Sequence, residues 1–162
     1  MNISLIEAAI VERLSPLRNA GLLVRALPNE PGEYGKVVGN GVVTVSWSVD
    51  EGQPPIGMGA IEQTIRMLWV LDIRCKNLRN GDAGAMSLRQ AIYALLIGFK
   101  PPGCRKMYVQ KFEFVDRQES YWHYEAIFVA PTTITEADDE ETGPLLSELL
   151  FEPIEVNGEA AE

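Results

Sequence analysis

Apolar and polar residues alternate along one long stretch of this chain, residues 61–77. From Ile61 to Cys75 every second position is apolar except Gln63. A period of two is typical of a β-strand that buries one face. A strand of that length would span roughly 56 Å, whereas a compact domain of about 130 residues is only about 35 Å across. The pattern therefore predicts a strand that bends, breaks or projects beyond its domain, exposing edges that monomers normally avoid.

The other patterns predict the rest of an α+β fold. Apolar residues at three- and four-residue spacing predict a helix over residues 3–17 and a second helix from Asp82, as its cap, to about Phe99. Four further strands are predicted at residues 22–27, 42–49, 107–116 and 121–130. The predicted order is α-β-β-β-α-β-β, a mainly antiparallel sheet with two helices packed on one face.

The charge distribution divides the chain into a body, residues 1–131, and an acidic tail, residues 132–162. The net charge is −9, yet the tail holds ten acidic residues and no Lys or Arg, which leaves 13 acidic and 14 basic residues in the body. We expect the body to fold as one domain. Its predicted core includes Ile6, Ile10, Leu14, Val45, Trp47, Trp69, Leu71, Ile92, Leu95 and Phe128.

The tail itself has two parts. Residues 132–143 are too polar to bury enough surface to become ordered. Residues 144–152 place Leu145 and Leu149 at helical spacing beside acidic residues, which predicts a short amphipathic helix. Because so short a helix is unstable alone in water, it needs a partner surface, on its own body or on a neighbouring subunit. Leu145 and Leu149 are therefore candidate interface residues.

Candidate catalytic chemistry is sparse. His123 is the single histidine, and no Ser-His-Asp set can be proposed around it without inventing partners. Asp72 and Asp116 could form a carboxylate pair with each other, although any protein of this size offers such pairs. No phosphate-binding loop, metal-ligand spacing or cofactor motif is present, and Cys75 and Cys104 lack a Cys-x-x-Cys partner. We therefore predict no catalytic, cofactor-binding or metal-binding residues and no cofactor.

Membrane and nucleic-acid partners are not expected either. No stretch has the apolar length of a membrane span, and the first residues do not resemble a signal peptide. The nearly neutral body argues against specific nucleic-acid binding. It also favours cross-strand core pairs over a base-stacking platform for the aromatic group. That group comprises Tyr108, Phe112, Phe114, Trp122, Tyr124 and Phe128.

The loop that precedes the long strand, residues 50–60, is the main candidate interface. It is rich in Gly and Pro and carries apolar side chains that would otherwise stand in solvent. These candidate assembly residues are Pro54, Pro55, Ile56 and Met58.

The order and lengths of these segments resemble the tail terminator (tail-completion) proteins of long-tailed phages. The resemblance is carried by LIEAAIVERLSPL, GVVTVSWSV, TIRMLWVLDIRCKNL, SLRQAIYALLIGF and KMYVQKFEFVDRQESYWHYEAIFVA, and it covers residues 1–131. It implies a homo-oligomer, a hexameric ring, that caps the tail tube, stops its polymerisation and offers a surface for head or neck joining. The implied partners are the tail tube protein and a neck or connector protein. A neck connector of similar fold and a small hydrolytic enzyme are the alternatives.

Overall fold

The computed structural model describes residues 2–57, 60–79, 81–118 and 120–136. The helices are α1 (Ile3–Arg13), the short α2 (Pro31–Tyr34) and α3 (Ala85–Leu96), with a 3-10 helix at Ser15–Ala20. The strands are β1 (Leu22–Ala26), β2 (Gly41–Gly52), β3 (Glu62–Cys75), β4 (Tyr108–Gln118) and β5 (Tyr121–Thr135). Apart from α2 and the 3-10 helix, this is the predicted order of elements.

The five strands form one mixed sheet in the order β1-β2-β3-β5-β4. Only the β1–β2 pair is parallel, and β2–β3, β3–β5 and β4–β5 are antiparallel. The predicted α+β class with a mainly antiparallel sheet is therefore confirmed.

The main core lies between the sheet and the helices α1 and α3. The alternate side chains of β3 that the sequence assigned to one face are buried there, from Ile65 to Cys75. On the helical side, the core contains Ile6 and Ile10 of α1 and Ile92 of α3. Tyr93 of α3 packs edge-on against Phe112 and Phe128, at ring-centre distances of 6.0 and 6.3 Å.

Trp47 is the clear error in the predicted core, since 44% of its surface is exposed. It lies opposite Trp69 in the β2–β3 register, so its face was assigned correctly. However, β1 pairs with β2 only as far as Val45, and beyond that residue β2 becomes an edge of the sheet. Without a neighbouring strand on that side, the Trp47 indole reaches solvent and donates a hydrogen bond to Asp50 at 2.9 Å.

Several predicted boundaries also shift. Helix α3 begins after Gly84 and not after Asp82, and α1 is capped by Asn2, whose Oδ1 accepts from the amides of Ser4 and Leu5. Strand β5 passes through Pro131 and continues to Thr135, so residues 132–135, predicted to stay unordered, are part of the sheet because they pair with β3. No helix within the described ranges has the length and hydrophobicity to cross a lipid bilayer. The predicted tail helix, with Leu145 and Leu149, lies outside the described residues.

Candidate assembly interface

The long strand β3 and its neighbour β2 extend well past β1. We call residues 46–66, which comprise β2 after Val45, the connecting loop and the start of β3, the β2–β3 extension. At about 3.3 Å per residue, β3 alone spans roughly 46 Å, more than the diameter expected for the domain. The prediction of an overlong strand is thus confirmed, with β3 one residue shorter at its N-terminal end and two residues shorter at its C-terminal end than predicted.

Backbone hydrogen bonds order the loop of this extension. The Gln53 amide donates to the Thr64 carbonyl at 2.9 Å, and the Ile56 amide donates to the Glu62 carbonyl at 2.8 Å. The Gln63 side-chain amide adds a bond to the Gln53 carbonyl at 2.8 Å. The loop therefore continues the hairpin as far as Ile56 and holds Ile56 in a defined position.

Strand β5 supports the other side of the extension. Its last residues pair with β3 as far as Thr135 opposite Glu62. Beyond the strand, the Glu136 amide donates to the Ile61 carbonyl and the Ile61 amide donates to Glu136 Oε2, both at 2.7 Å. The β3 part of the extension is therefore flanked by β5 along its whole length, and the chain leaves the sheet beside Ile61 toward the acidic tail.

A polar cluster braces the extension where it joins the body. The Arg66 guanidinium makes an ion pair with Glu51 at 2.7 Å and donates to Tyr108 Oη and Gln110 Oε1, each at 3.2 Å. These contacts connect β2, β3 and β4 across the sheet. Because the cluster is half exposed, we assign it an orienting role and only a small share of the stability.

Apolar side chains along this braced extension stand in solvent. Ile56 at the loop is 69% exposed, and Trp47, Val49 and Ile61 are each more than two-fifths exposed. Pro54 and Pro55 are exposed beside Ile56. Met58 lies outside the described residues. Isolated exposed apolar residues are ordinary, but several on one projecting element are typical of an interaction surface.

The face of the sheet opposite the helices carries a second feature, a buried polar cluster around Asp72. Nε2 of His123 lies 2.6 Å from Asp72 Oδ2, Tyr34 Oη donates to the same oxygen at 2.7 Å, and Arg74 Nε lies 2.9 Å from Oδ1. Asp116 contacts the remaining ring nitrogen of His123, Nδ1, at 3.1 Å. Asp72 and Arg74 are buried.

Sequence reasoning considered Asp72, Asp116 and His123 but did not bring them together. It missed Arg74, because the alternation on β3 placed the even-numbered side chains in solvent. It also missed Tyr34. In the fold, α2 covers that face, and the Tyr34 ring lies 4.5 Å from the Arg74 guanidinium carbon. Burial, followed by the hydrogen bond to Asp72 and its negative charge, raises the pKa of Tyr34 to about 12, which keeps its hydroxyl a donor.

The chemistry of this cluster fits a structural role. Both ring nitrogens of His123 face carboxylate oxygens, so both are satisfied together only if both carry hydrogen or one carboxyl is protonated. A general base needs a free nitrogen directed at a nucleophile, and no Ser, Thr or Cys side chain is bonded to His123 within the described part of the chain. Nor does that part contain three or more acidic, His or Cys side chains arranged to hold a metal ion.

The aromatic group on β4 and β5 is mostly core. Phe128 is buried, and Phe112, Trp122 and Tyr124 are half-buried against the main core. Phe114 is about half exposed but contacts the Tyr124 ring at 5.5 Å between ring centres. Most of these aromatic side chains therefore form cross-strand core pairs, and the group does not present a continuous open stacking face.

Comparison with known proteins places this fold in a family. A family model described as Gp37 protein matches residues 10–153, most of the chain. The chain belongs to the Gp37 protein family. A comparison with curated proteins gives no significant sequence match.

The Gp37-family fold also occurs among solved structures. One similar chain is part of the virion of a native gene transfer agent (GTA) particle, with a TM-score of 0.50 and 13% sequence identity. The match covers 82% of this chain and 97% of that chain. At this identity the comparison establishes a shared fold.

Proposed function

We propose that this protein is a structural virion protein of a phage or phage-like particle, and that it forms a ring capping the end of the tail tube. In this role it stops tube polymerisation and provides the surface to which the head or neck joins. It acts at the head-proximal end of the tail after assembly in the host cytoplasm.

The observation that carries this proposal is the braced β2–β3 extension with its solvent-exposed apolar side chains. An isolated monomer gains nothing from placing Ile56, Trp47 and Ile61 in water, whereas a subunit of an assembly buries them against a neighbour. The fold shared with a chain of the GTA virion, over nearly all of that chain, supports the same class of role.

A ring requires a heterologous contact, in which one surface of a subunit meets a different surface of the next and the rotation closes. The extension supplies one such surface. By the resemblance to tail terminators, we expect six subunits. The tail tube protein then contacts one face of the ring, and a neck or connector protein contacts the other.

The experiment adds the purified protein to tail tube protein of the same phage during polymerisation and measures tube lengths by electron microscopy. A capping protein shortens the tubes in proportion to its amount and sits as a ring at one end. The variant Ile56→Asp should lose both effects, whereas Leu27→Asp, a comparably exposed site beside β1, should keep them. Tubes of unchanged length with the wild-type protein would contradict the capping role.

A neck connector is the nearest alternative, because it also forms a ring from a similar fold. It differs in its partner: a connector binds the portal side and does not bind tube protein. Co-sedimentation with assembled tubes separates the two roles. A hydrolytic enzyme is disfavoured by the two carboxylates that occupy both ring nitrogens of His123.

A further inference from the structure

The outer surface of the helical layer contains an apolar groove. Two adjoining depressions, of about 380 Å³ and about 490 Å³, share Pro16 and Leu95 and run between α1, the 3-10 helix and α3. Small side chains form much of the lining, notably Ala9, Ala91 and Ala94. Their size leaves space on the surface that larger helix-facing residues would have filled.

One wall of the groove is fixed by contacts of Arg13, and the groove carries little net charge. Arg13 donates to the Leu95 carbonyl at 2.9 Å and lies 5.4 Å from the Phe99 ring centre, which holds that wall in place. The charged residues that line it are Glu12, Arg13 and Asp82, of both signs. Such a surface favours an apolar, uncharged occupant.

The tip of the β2–β3 extension has the matching properties. Residues 52–61 contain no charged side chain. Ile56 is the most exposed large apolar side chain within the described residues, and Pro54 and Pro55 beside it fix the backbone. Two consecutive prolines lose little conformational freedom on binding, so the entropic cost of docking this tip is small.

We propose that the tip of the extension, residues 54–57, docks into the α1–α3 groove of a second copy of this chain. The contact joins two different surfaces of one protein, as a closed ring requires. The inference rests on the proposed ring and specifies how its subunits meet. The tail is the less suitable occupant, because its ten acidic residues gain nothing from a groove without net positive charge.

Disulfide trapping tests this contact in the full-length protein. Chains carrying Ile56→Cys are mixed with chains carrying Ala94→Cys and oxidised. The matched control replaces Ala94→Cys with Met86→Cys, an exposed site on the same helix that does not line the groove. The native thiols interfere little, because Cys75 and Cys104 are buried and burial raises the pKa of each thiol.

The expected result is a covalent dimer of Ile56→Cys with Ala94→Cys chains, and little dimer with Met86→Cys chains. Equal yields with the two partners, or dominant linkage between two Ile56→Cys chains, would overturn the contact. Trapping captures brief encounters, so absence of any dimer at high protein concentration overturns it as well. Cross-linking of Ala94→Cys to a Leu149→Cys chain in place of Ile56→Cys would assign the groove to the tail.

A charge-pair variant tests the docking of the tip independently. Ile56→Glu should weaken self-association by about tenfold or more, because it forfeits burial of one aliphatic side chain. Adding Ala94→Lys to the partner surface should restore part of the loss. The mass of the assembly in solution tests the proposed function separately. If Ile56→Glu still forms rings, the proposed ring stands and only the docking of the tip is overturned.

Discussion

His123 on β5 lies 2.6 Å from Asp72 on β3, measured between Nε2 and Oδ2, although 51 positions separate the two residues in the chain. The same carboxylate also binds Arg74 and Tyr34, and His123 reaches across to Asp116 on β4. One buried carboxylate therefore connects two neighbouring strands, a third through His123, and the short helix that covers them. A cluster with these contacts specifies how α2 sits on the sheet.

We first predict that removing the central carboxylate destabilises the fold strongly. Asp72→Ala leaves the buried Arg74 guanidinium without its counter-charge and His123 Nε2 without its partner, and such losses cost about 3–5 kcal/mol. Asp116→Ala is the control, because the Asp116 side chain is 46% exposed and exposed pairs contribute only about 0–1 kcal/mol. Urea unfolding at neutral pH measures both. Equal effects would contradict the central role of Asp72.

The second prediction compares two tryptophans that face each other across β2 and β3. Trp69 is fully buried, so Trp69→Ala should lower the free energy of unfolding by about 3–5 kcal/mol. Trp47→Ala, at a largely exposed site, should cost far less and should instead weaken assembly. Thermal unfolding measures the loss of stability, and mass measurement in solution measures the loss of assembly. A larger loss at Trp47 than at Trp69 would show that the assigned faces are wrong.

The third prediction concerns alkaline pH and Cys75. Burial disfavours the thiolate and raises the pKa of Cys75 from 9.0 to about 11. The folded state therefore keeps a proton that the unfolded chain releases above about pH 9, so this contribution to stability is complete below pH 9 and is lost as pH rises to about 11. Tyr34 loses its contribution at higher pH, between about 10 and 12.

Measurement of the free energy of unfolding between pH 8 and pH 11 checks this sign. The slope of stability against pH in the 9–11 interval should become shallower in Cys75→Ala, whatever that variant's stability at neutral pH. An unchanged slope would show that Cys75 titrates normally in the fold. Cys75 should also resist alkylation at pH 8 in the native protein and react once the protein is unfolded.

We next predict that Ile56→Asp leaves the body's stability nearly unchanged while reducing assembly. The residue is 69% exposed, and substitutions at such sites usually change stability by less than about 0.5 kcal/mol. Calorimetry and mass in solution, measured on one preparation, separate the two effects. A variant that assembles normally would reduce the loop to a simple connector.

A last prediction concerns the acidic tail. If residues 144–152 dock through Leu145 and Leu149, their amides should gain protection from hydrogen exchange. Protection only in the assembled protein indicates docking on another subunit, and protection in the free protein indicates docking on its own body. Full exchange in both states would exclude the helix. The division into a body, residues 1–131, and a tail, residues 132–162, is tested by the same profile, in which residues 132–135 of β5 should be protected together with the body.

The sequence by itself determined the order of the main elements, the two faces of β3 and the excess length of that strand. These follow from local periodicity, because side chains of a strand alternate between faces whatever lies above them. Ile65, Trp69 and Ile73 are buried as the pattern predicted. The charge balance between body and tail was likewise a property of the sequence alone.

Tertiary structure alone decided what covers each face and where each strand loses its neighbour. Alternation placed Asp72 and Arg74 away from α1 and α3, but only the tertiary structure surrounds them: the β3–β5 pairing brings His123 to the Asp72 carboxylate, and α2 brings Tyr34. Alternation likewise assigned Trp47 to the core face, yet β1 ends opposite Val45 and leaves that tryptophan at an open edge. Burial depends on contacts between distant segments, and local periodicity carries no information about those contacts.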